Sequence, residues 1–215
     1  GLKITAVIHD ITAVVQREIE IERANRALRL ISAVNRAMRG ADSQVELLDA
    51  ICRVVIEVGG YRFAWIGYAE NDENKAVTPV ASAGNDNGFL EDAIVNWDAD
   101  SPYGQGNAGM TIRNGKPFII RSTANEGRAA PWREALLERG YASAGSFPLN
   151  VGDIRGVLVI YAATEDAFGE EECALLEDLA GDISHGLRGF RDGESRSRAE
   201  SSLRKIGRAS CRERV

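Results

Sequence analysis

The 215-residue chain is 44% hydrophobic and 27% charged, with a formal charge of −6. These are ordinary values for a globular protein and far from those of a disordered or fibrous chain. No apolar run approaches the roughly 20 residues that span a bilayer, and the N-terminus lacks the zones of a secretory signal, so a cytoplasmic location is expected, with any membrane anchor lying elsewhere in a parent protein. The charge is uneven, +4 over Glu194 to Val215 and −10 over the residues before it, and an acidic body argues against nucleic acid as a partner.

In chain order, Ile4–Ile8 reads as a lone strand closed by Asp10-Ile11-Thr12. A strand without a partner cannot satisfy its backbone or bury a face, so it is expected to be the last piece of a preceding unit and the polypeptide an excerpt. The pattern then becomes helical with a seven-residue spacing. Val14, Ile21, Leu28 and Asn35 fall on one heptad position and Ala24, Ile31 and Met38 on the other, with Arg17 the exception. This predicts a weak dimeric seam in which Asn35 sets register, the alternative being an amphipathic helix packed on its own domain.

Gly40 to Ser43 interrupts the helix, and Asp42 or Ser43 caps the next, "QVELLDAICRVVIEVGG", which ends at Gly59-Gly60. "YRFAWIGYAE" and "AVTPVASAG", joined by "NDENK", predict a hairpin whose second strand is placed by Pro79 at an edge or a bulge. A loop-rich stretch follows, with helices at "FLEDAIVNW" and "AGMTIRN", a short strand "PFIIR", and a helix "PWREALLERG" with Pro131 in its first turn. The strands "YASAGSFPL" and "RGVLVIYAA" are joined by "NVGDI", and the second, apolar on both faces, is expected at the sheet centre. From about Phe168, Cys173, Leu176, Ala180, Ile183, Leu187 and Phe190 recur at helical spacing. That helix is expected beside the first core helix and to break at Gly189 or Gly193 before "RSRAESSLRKI" continues it. The final "GRASCRERV" reads as a cloning remnant. The whole order describes an α+β fold, an antiparallel sheet with helices on one face and loops and small helices over the other.

Chemistry-bearing patterns are few. Cys52, Cys173 and Cys211 are odd in number and widely spaced, which suggests buried thiols rather than disulfides or a zinc site. "GQGNAG" fits the dinucleotide fingerprint by letter, but no apolar strand precedes it; its glycines are expected to let a tight loop hug a pocket or a strand. His9 and His185 lack a second ligand or a catalytic partner, and Glu170-Glu171-Glu172 at a helix start serves the helix dipole. No catalytic or metal-ligating residue is assigned. Trp65, Tyr68, Trp97, Tyr103, Trp132, Tyr141, Ser146 and Tyr161 concentrate around the sheet. They either line a mostly apolar small-molecule pocket or fill a core.

Four segments carry a family resemblance: "LLDAICRVVIEVGGYRFAWIGYAE", "GNAGMTIRNGKPFII", "SAGSFPLNVGDIRGVLVIYAA" and "DAFGEEECALLEDLAGDIS". Together they resemble a GAF domain, the ligand-sensing module of bacterial multidomain signalling proteins. "ITAVIHDIT", with Asp10 and Thr12, is similar to the closing strand of a PAS domain. The resemblance implies a GAF-like central antiparallel sheet flanked by helices, with long N- and C-terminal signalling helices. It divides the chain into a PAS remnant (1–12), a helical linker or coiled coil (13–39), the GAF domain (40–190), a C-terminal linker helix (191–206) and a tail (207–215). The implied function is a non-catalytic sensory and dimerisation module of a sensor histidine kinase or GGDEF-type protein. It would homodimerise through Ile21, Leu28, Ile31, Asn35, Ile183 and Leu187, bind an unknown small molecule and act on an output domain outside this chain, with no cofactor required. The N-K-F-D-E signature of cyclic-nucleotide-binding members is absent, no cysteine stands at the bilin-attachment position, and the cysteine set does not match the methionine-sulfoxide-reducing members. The alternatives are a small redox enzyme of the free methionine sulfoxide reductase type, using Cys52 or Cys173, and a structural spacer without ligand.

Overall fold

Alternating side chains build a sheet with two buried faces. In the computed structural model, strands β1 (Phe63–Ala69), β2 (Val77–Gly84), β3 (Phe118–Ile120), β4 (Ser143–Val151) and β5 (Ile154–Ala162) form one antiparallel sheet in the order β2-β1-β5-β4-β3. The structure describes the backbone of residues 2–212 and the side-chain surroundings of residues 13–191 and 193. Along β1, Ala64 and Ile66 enter one core while Phe63 and Trp65 enter another. On β5, Leu158 and Ile160 join the first core while Val157, Val159 and Tyr161 join the second, which is why this strand reads as apolar on both faces. Pro79 meets both expectations, because β2 is an edge strand and its register slips there. Ile66 pairs with Ala81 and Gly67 with Pro79, leaving Val80 as the extra residue of a bulge.

Three helices cover the first face: α1 (Leu2–Gly40), α2 (Gln44–Glu57) and α6 (Glu170–Arg212). Helix α2 starts at Ser43, whose hydroxyl accepts from the Glu46 amide at 3.2 Å while the Glu46 carboxylate accepts from the Asp42 amide at 3.0 Å. Ser43→Ala should cost about 1 kcal/mol, read as a lowered urea midpoint with an unchanged slope. The other face carries the short helices α3 (Phe89–Asp92), α4 (Asn107–Asn114) and α5 (Arg133–Glu138) with their loops.

Several expectations need correction. The strand at Ile4–Ile8 is instead part of α1, since a helix satisfies its own backbone where no partner strand is at hand. The helix expected over 89–97 stops at Asp92. Its second half runs along the β2 edge, where Val77 N–H donates to Val95 O and Trp97 N–H to Lys75 O, so pairing with an unfilled strand edge overrides helix propensity. Pro131 lies in the turn before α5, with Trp132 rather than proline at the helix entry. Helix α6 runs unbroken through Gly189 and Gly193, because a helical glycine only weakens the backbone locally. No helix among the described residues is long and apolar enough to cross a membrane. His9 and Cys211 have side chains outside the described residues.

The heptad stripe divides between two environments. Val14, Ile21 and Leu28 are 64%, 54% and 52% exposed, whereas Ala27, Leu30, Ala33 and Val34 form the face of α1 that packs inward. Ile31 and Asn35 lie half-buried between these faces. Ile183 and Leu187, expected in the seam, are fully buried in the subunit's own core, because the central face of α6 must cover the sheet.

Helices α1 and α6 are also joined by a buried polar clasp. Glu172 Oε1 accepts from Arg26 Nε at 2.9 Å, from Arg26 Nη2 at 2.6 Å and from the Tyr61 hydroxyl at 2.7 Å. The Arg26 guanidinium also lies over the Tyr61 ring, which stacks on Phe168. Tyr61 stands just ahead of β1, so the clasp connects both long helices to the sheet.

Candidate functional site

The second core encloses a cavity on the sheet face away from the long helices. Its floor is Trp65 of β1 and Tyr161 of β5, and around it stand Phe89, Tyr103, Asn107 at the start of α4, and Trp132. The space inside is about 20 Å³, room for about one water molecule. Outside Phe89, Tyr103 and Trp132 the surface continues as an open groove of about 340 Å³, edged by Asp92, Ala135 and Arg139.

The glycine-rich loop shapes one wall by close approach. A Cβ on Gly106 would come within 2.5 Å of the Trp132 ring, and one on Gly109 within 2.3 Å of the Gly104 carbonyl oxygen. The glycines of "GQGNAG" therefore hug a pocket, as expected, and no strand leads into them. Arg113, which sequence reasoning passed over, holds this loop: its Nη1 donates to the carbonyls of Trp97 (3.0 Å), Asp98 (3.3 Å) and Gly104 (2.7 Å). A cation at the end of a short helix was the only available signal, and it points equally to the dipole.

Of the eight pocket candidates, Trp65, Tyr103, Trp132 and Tyr161 line the cavity. Tyr141 lies behind it, stacked on Tyr161 at 4.8 Å and on Phe63 at 5.7 Å, its hydroxyl donating to Asn85 O. Ser146 is a bolt: its hydroxyl meets that of Thr111 at 2.7 Å and lies within hydrogen-bonding distance of the Asn107 and Phe118 carbonyls. Tyr68 faces the opposite core and accepts from Gln44 Nε2 at 3.0 Å, because its position in β1 has the parity of Ala64 and Ile66. Trp97 sits at the edge, donating to Glu70 O beneath the Arg155 guanidinium. Nearby, the Lys75 ammonium at 2.7 Å holds the Asp98 carboxyl below its usual range.

Two side-chain donors of residues that line the cavity are buried without a hydrogen-bond partner, Trp65 Nε1 and Asn107 Nδ2. Burial pushes the Tyr161 hydroxyl well above its ordinary range, with the neighbouring Trp65 indole acting in the opposite sense. Cys52 and Cys173 belong to the other face of the sheet and neither lines the cavity. Burial raises their thiols to about 12 and about 11, with Asp49 adding to the first and Glu172 to the second. His185 is exposed on α6. Among the described residues no cluster of His, Cys, Asp and Glu has the arrangement of a metal site.

A search of curated proteins gives no match. Solved structures share the fold at low identity. Free methionine-R-sulfoxide reductase from Neisseria meningitidis, in complex with its substrate, matches at 14% identity with a TM-score of 0.64, covering 79% of this chain and 93% of that one. The GAF domain of a phosphoenolpyruvate-protein phosphotransferase from Coxiella burnetii matches at 16% identity and a TM-score of 0.63, over 80% of this chain and 98% of that one. A GAF domain of A. aeolicus in an inactive state matches at 18% identity and 0.56, over 80% and 99%. Such identities speak for architecture alone, since one fold hosts many functions. The GAF domain family model matches residues 41–188, the span that contains the whole sheet, the cavity and the inward face of α6, and the chain belongs to the GAF domain family.

Proposed function

We propose that this GAF domain is a non-catalytic sensory and dimerisation module. It takes a small molecule into the sheet-face cavity and relays occupancy through α1 and α6 to an output domain of a multidomain signalling protein, of the histidine-kinase or GGDEF kind. One observation carries this reading: the strands that floor the cavity with Trp65 and Tyr161 present Ile66 and Ile160, their neighbours in sequence, to the core beneath the long helices. A shift of β1 or β5 on binding is thereby felt at both rods, and the ligand biases the helix arrangement by its differential affinity for the two states. The Glu172 clasp makes the rods move together. A redox enzyme has less support, because the described thiols lie across the sheet from the cavity with their thiolates disfavoured.

The exposed stripe Val14, Ile21, Leu28 is the proposed contact with a second copy. Burying Ile21 and Leu28 contributes about 1.5 kcal/mol each. Ile21→Glu with Leu28→Glu, carried by both copies of a homodimer, should therefore weaken self-association by roughly 10⁴-fold in sedimentation equilibrium. Wild-type protein that stays monomeric at about millimolar concentration would remove the relay through a dimer.

A further inference from the structure

Resting on the small-molecule reading, the geometry points to an uncharged, flat ligand that presents hydrogen-bond acceptors, of the carbonyl kind, to the Trp65 indole and to the start of α4. Three carbonyls in or beside the wall already have donors. The Asn107 carbonyl is taken by Ser146, the Gly104 carbonyl by Arg113 and the Ile94 carbonyl by Trp132 Nε1 at 3.0 Å. The donors are not engaged. Trp65 is 1% exposed and its N–H, beside the Tyr161 hydroxyl, makes no hydrogen bond of ordinary geometry; Asn107 is 8% exposed and its Nδ2 makes none. Gly106, ahead of α4, has no side chain with which to cap the first-turn amides of Asn107, Ala108 and Gly109. A buried donor left unmade costs about 1–3 kcal/mol, and an occupant bearing acceptors removes that cost.

Charge and shape narrow the class. Among the described residues no Asp, Glu, Lys or Arg lines the inner cavity, and the outer groove sets Asp92 and Glu138 against the single Arg139, so an anion would lose its hydration without meeting a net positive charge. The walls are aromatic, which suits a planar body. The way in is past Trp132. This ring stands in a turn, is tied by one hydrogen bond to Ile94 O, and packs edge-on to the part-exposed Tyr103 with centroids 6.0 Å apart. Rotating it outward joins the cavity to the outer groove of about 340 Å³, within the range of small-ligand pockets.

Three probes of similar outline separate the contributions: coumarin carries acceptors, naphthalene has none, and 2-naphthoate is an anion. Binding of each to the whole chain is followed by ligand-detected NMR and calorimetry. Coumarin should bind roughly tenfold more tightly than either of the others, the equivalent of one hydrogen bond. Trp65→Phe, or Asn107→Leu if that variant fails to fold, should weaken coumarin roughly tenfold more than it weakens naphthalene, removing the difference between the two. Equal binding of naphthalene, tighter binding of 2-naphthoate, or indifference of coumarin to both substitutions overturns the ligand class while leaving a binding pocket. If no probe binds the wild type or Trp132→Ala, in which the wall cannot close, the small-molecule reading itself falls.

Discussion

Arg26→Ala is expected to destabilise the domain by about 3 kcal/mol, the lower end of the range for removing one partner of a buried ion pair. The lower end applies because the Arg26 side chain is 29% exposed whereas that of Glu172 is fully buried. The deletion leaves a carboxylate among Tyr61, Phe168 and the α1–α6 packing, with only the Tyr61 hydroxyl still donating to it. Its second oxygen already has no partner. Replacing both residues by apolar ones, Arg26→Met with Glu172→Leu, should restore most of the loss, since the desolvation cost disappears together with the attraction. Urea denaturation of the wild type, both single variants and the double variant measures the coupling. A loss under about 1 kcal/mol for Arg26→Ala would mean that the clasp behaves as a surface pair, and the coupling of the two rods would then have to come from apolar packing alone.

Alkaline pH should destabilise the domain progressively above about pH 9. Burial raises the ionisations of Cys52 (from 9.0 to about 12), Cys173 (from 9.0 to about 11) and Tyr141 (from 10.0 to about 12), and it also raises those of Tyr61, Tyr68 and Tyr161. In every case the folded state keeps its proton where the unfolded chain has lost it. The unfolded state therefore binds fewer protons, and stability falls as pH rises. The full contribution is present below about pH 9, and the loss runs from there to about pH 12. Cys52 alone accounts for a loss on the order of 2–3 kcal/mol by pH 11. Cys173 is half-buried and solvent tempers its share. The check is a set of urea midpoints from pH 8 to 11, with Cys52→Ala as control. That variant starts less stable but should show a shallower decline. A flat profile would mean that the core opens to water without unfolding.

The order of elements was legible because it rests on local chemistry. The period-two alternation of β1 and β5, the Ser43 cap, Gly60 at a positive φ of 68° after α2, and Pro79 at a bulged edge each follow from the residue and its nearest neighbours in sequence. The pocket's floor was partly legible for the same reason. Trp65 and Tyr161 could be assigned to opposed strands, although which of the eight aromatic and polar candidates shared a face depended on register, and Tyr68 lies across the sheet from Trp65. Arg113 and the Arg26–Tyr61–Glu172 clasp were not legible, since an arginine on a helix has the same local signature whether it meets solvent or three carbonyls from a distant loop.

What the sequence determined by itself is the α+β architecture, because periodicity, caps and turns are written residue by residue, while the family showed as a resemblance in four segments. Only the tertiary structure decided that Ile183 and Leu187 belong to the core, and that Trp65 and Asn107 line one cavity with donors left without a partner. Those outcomes turn on which partner is within reach in space, a question of long-range packing that no local pattern encodes.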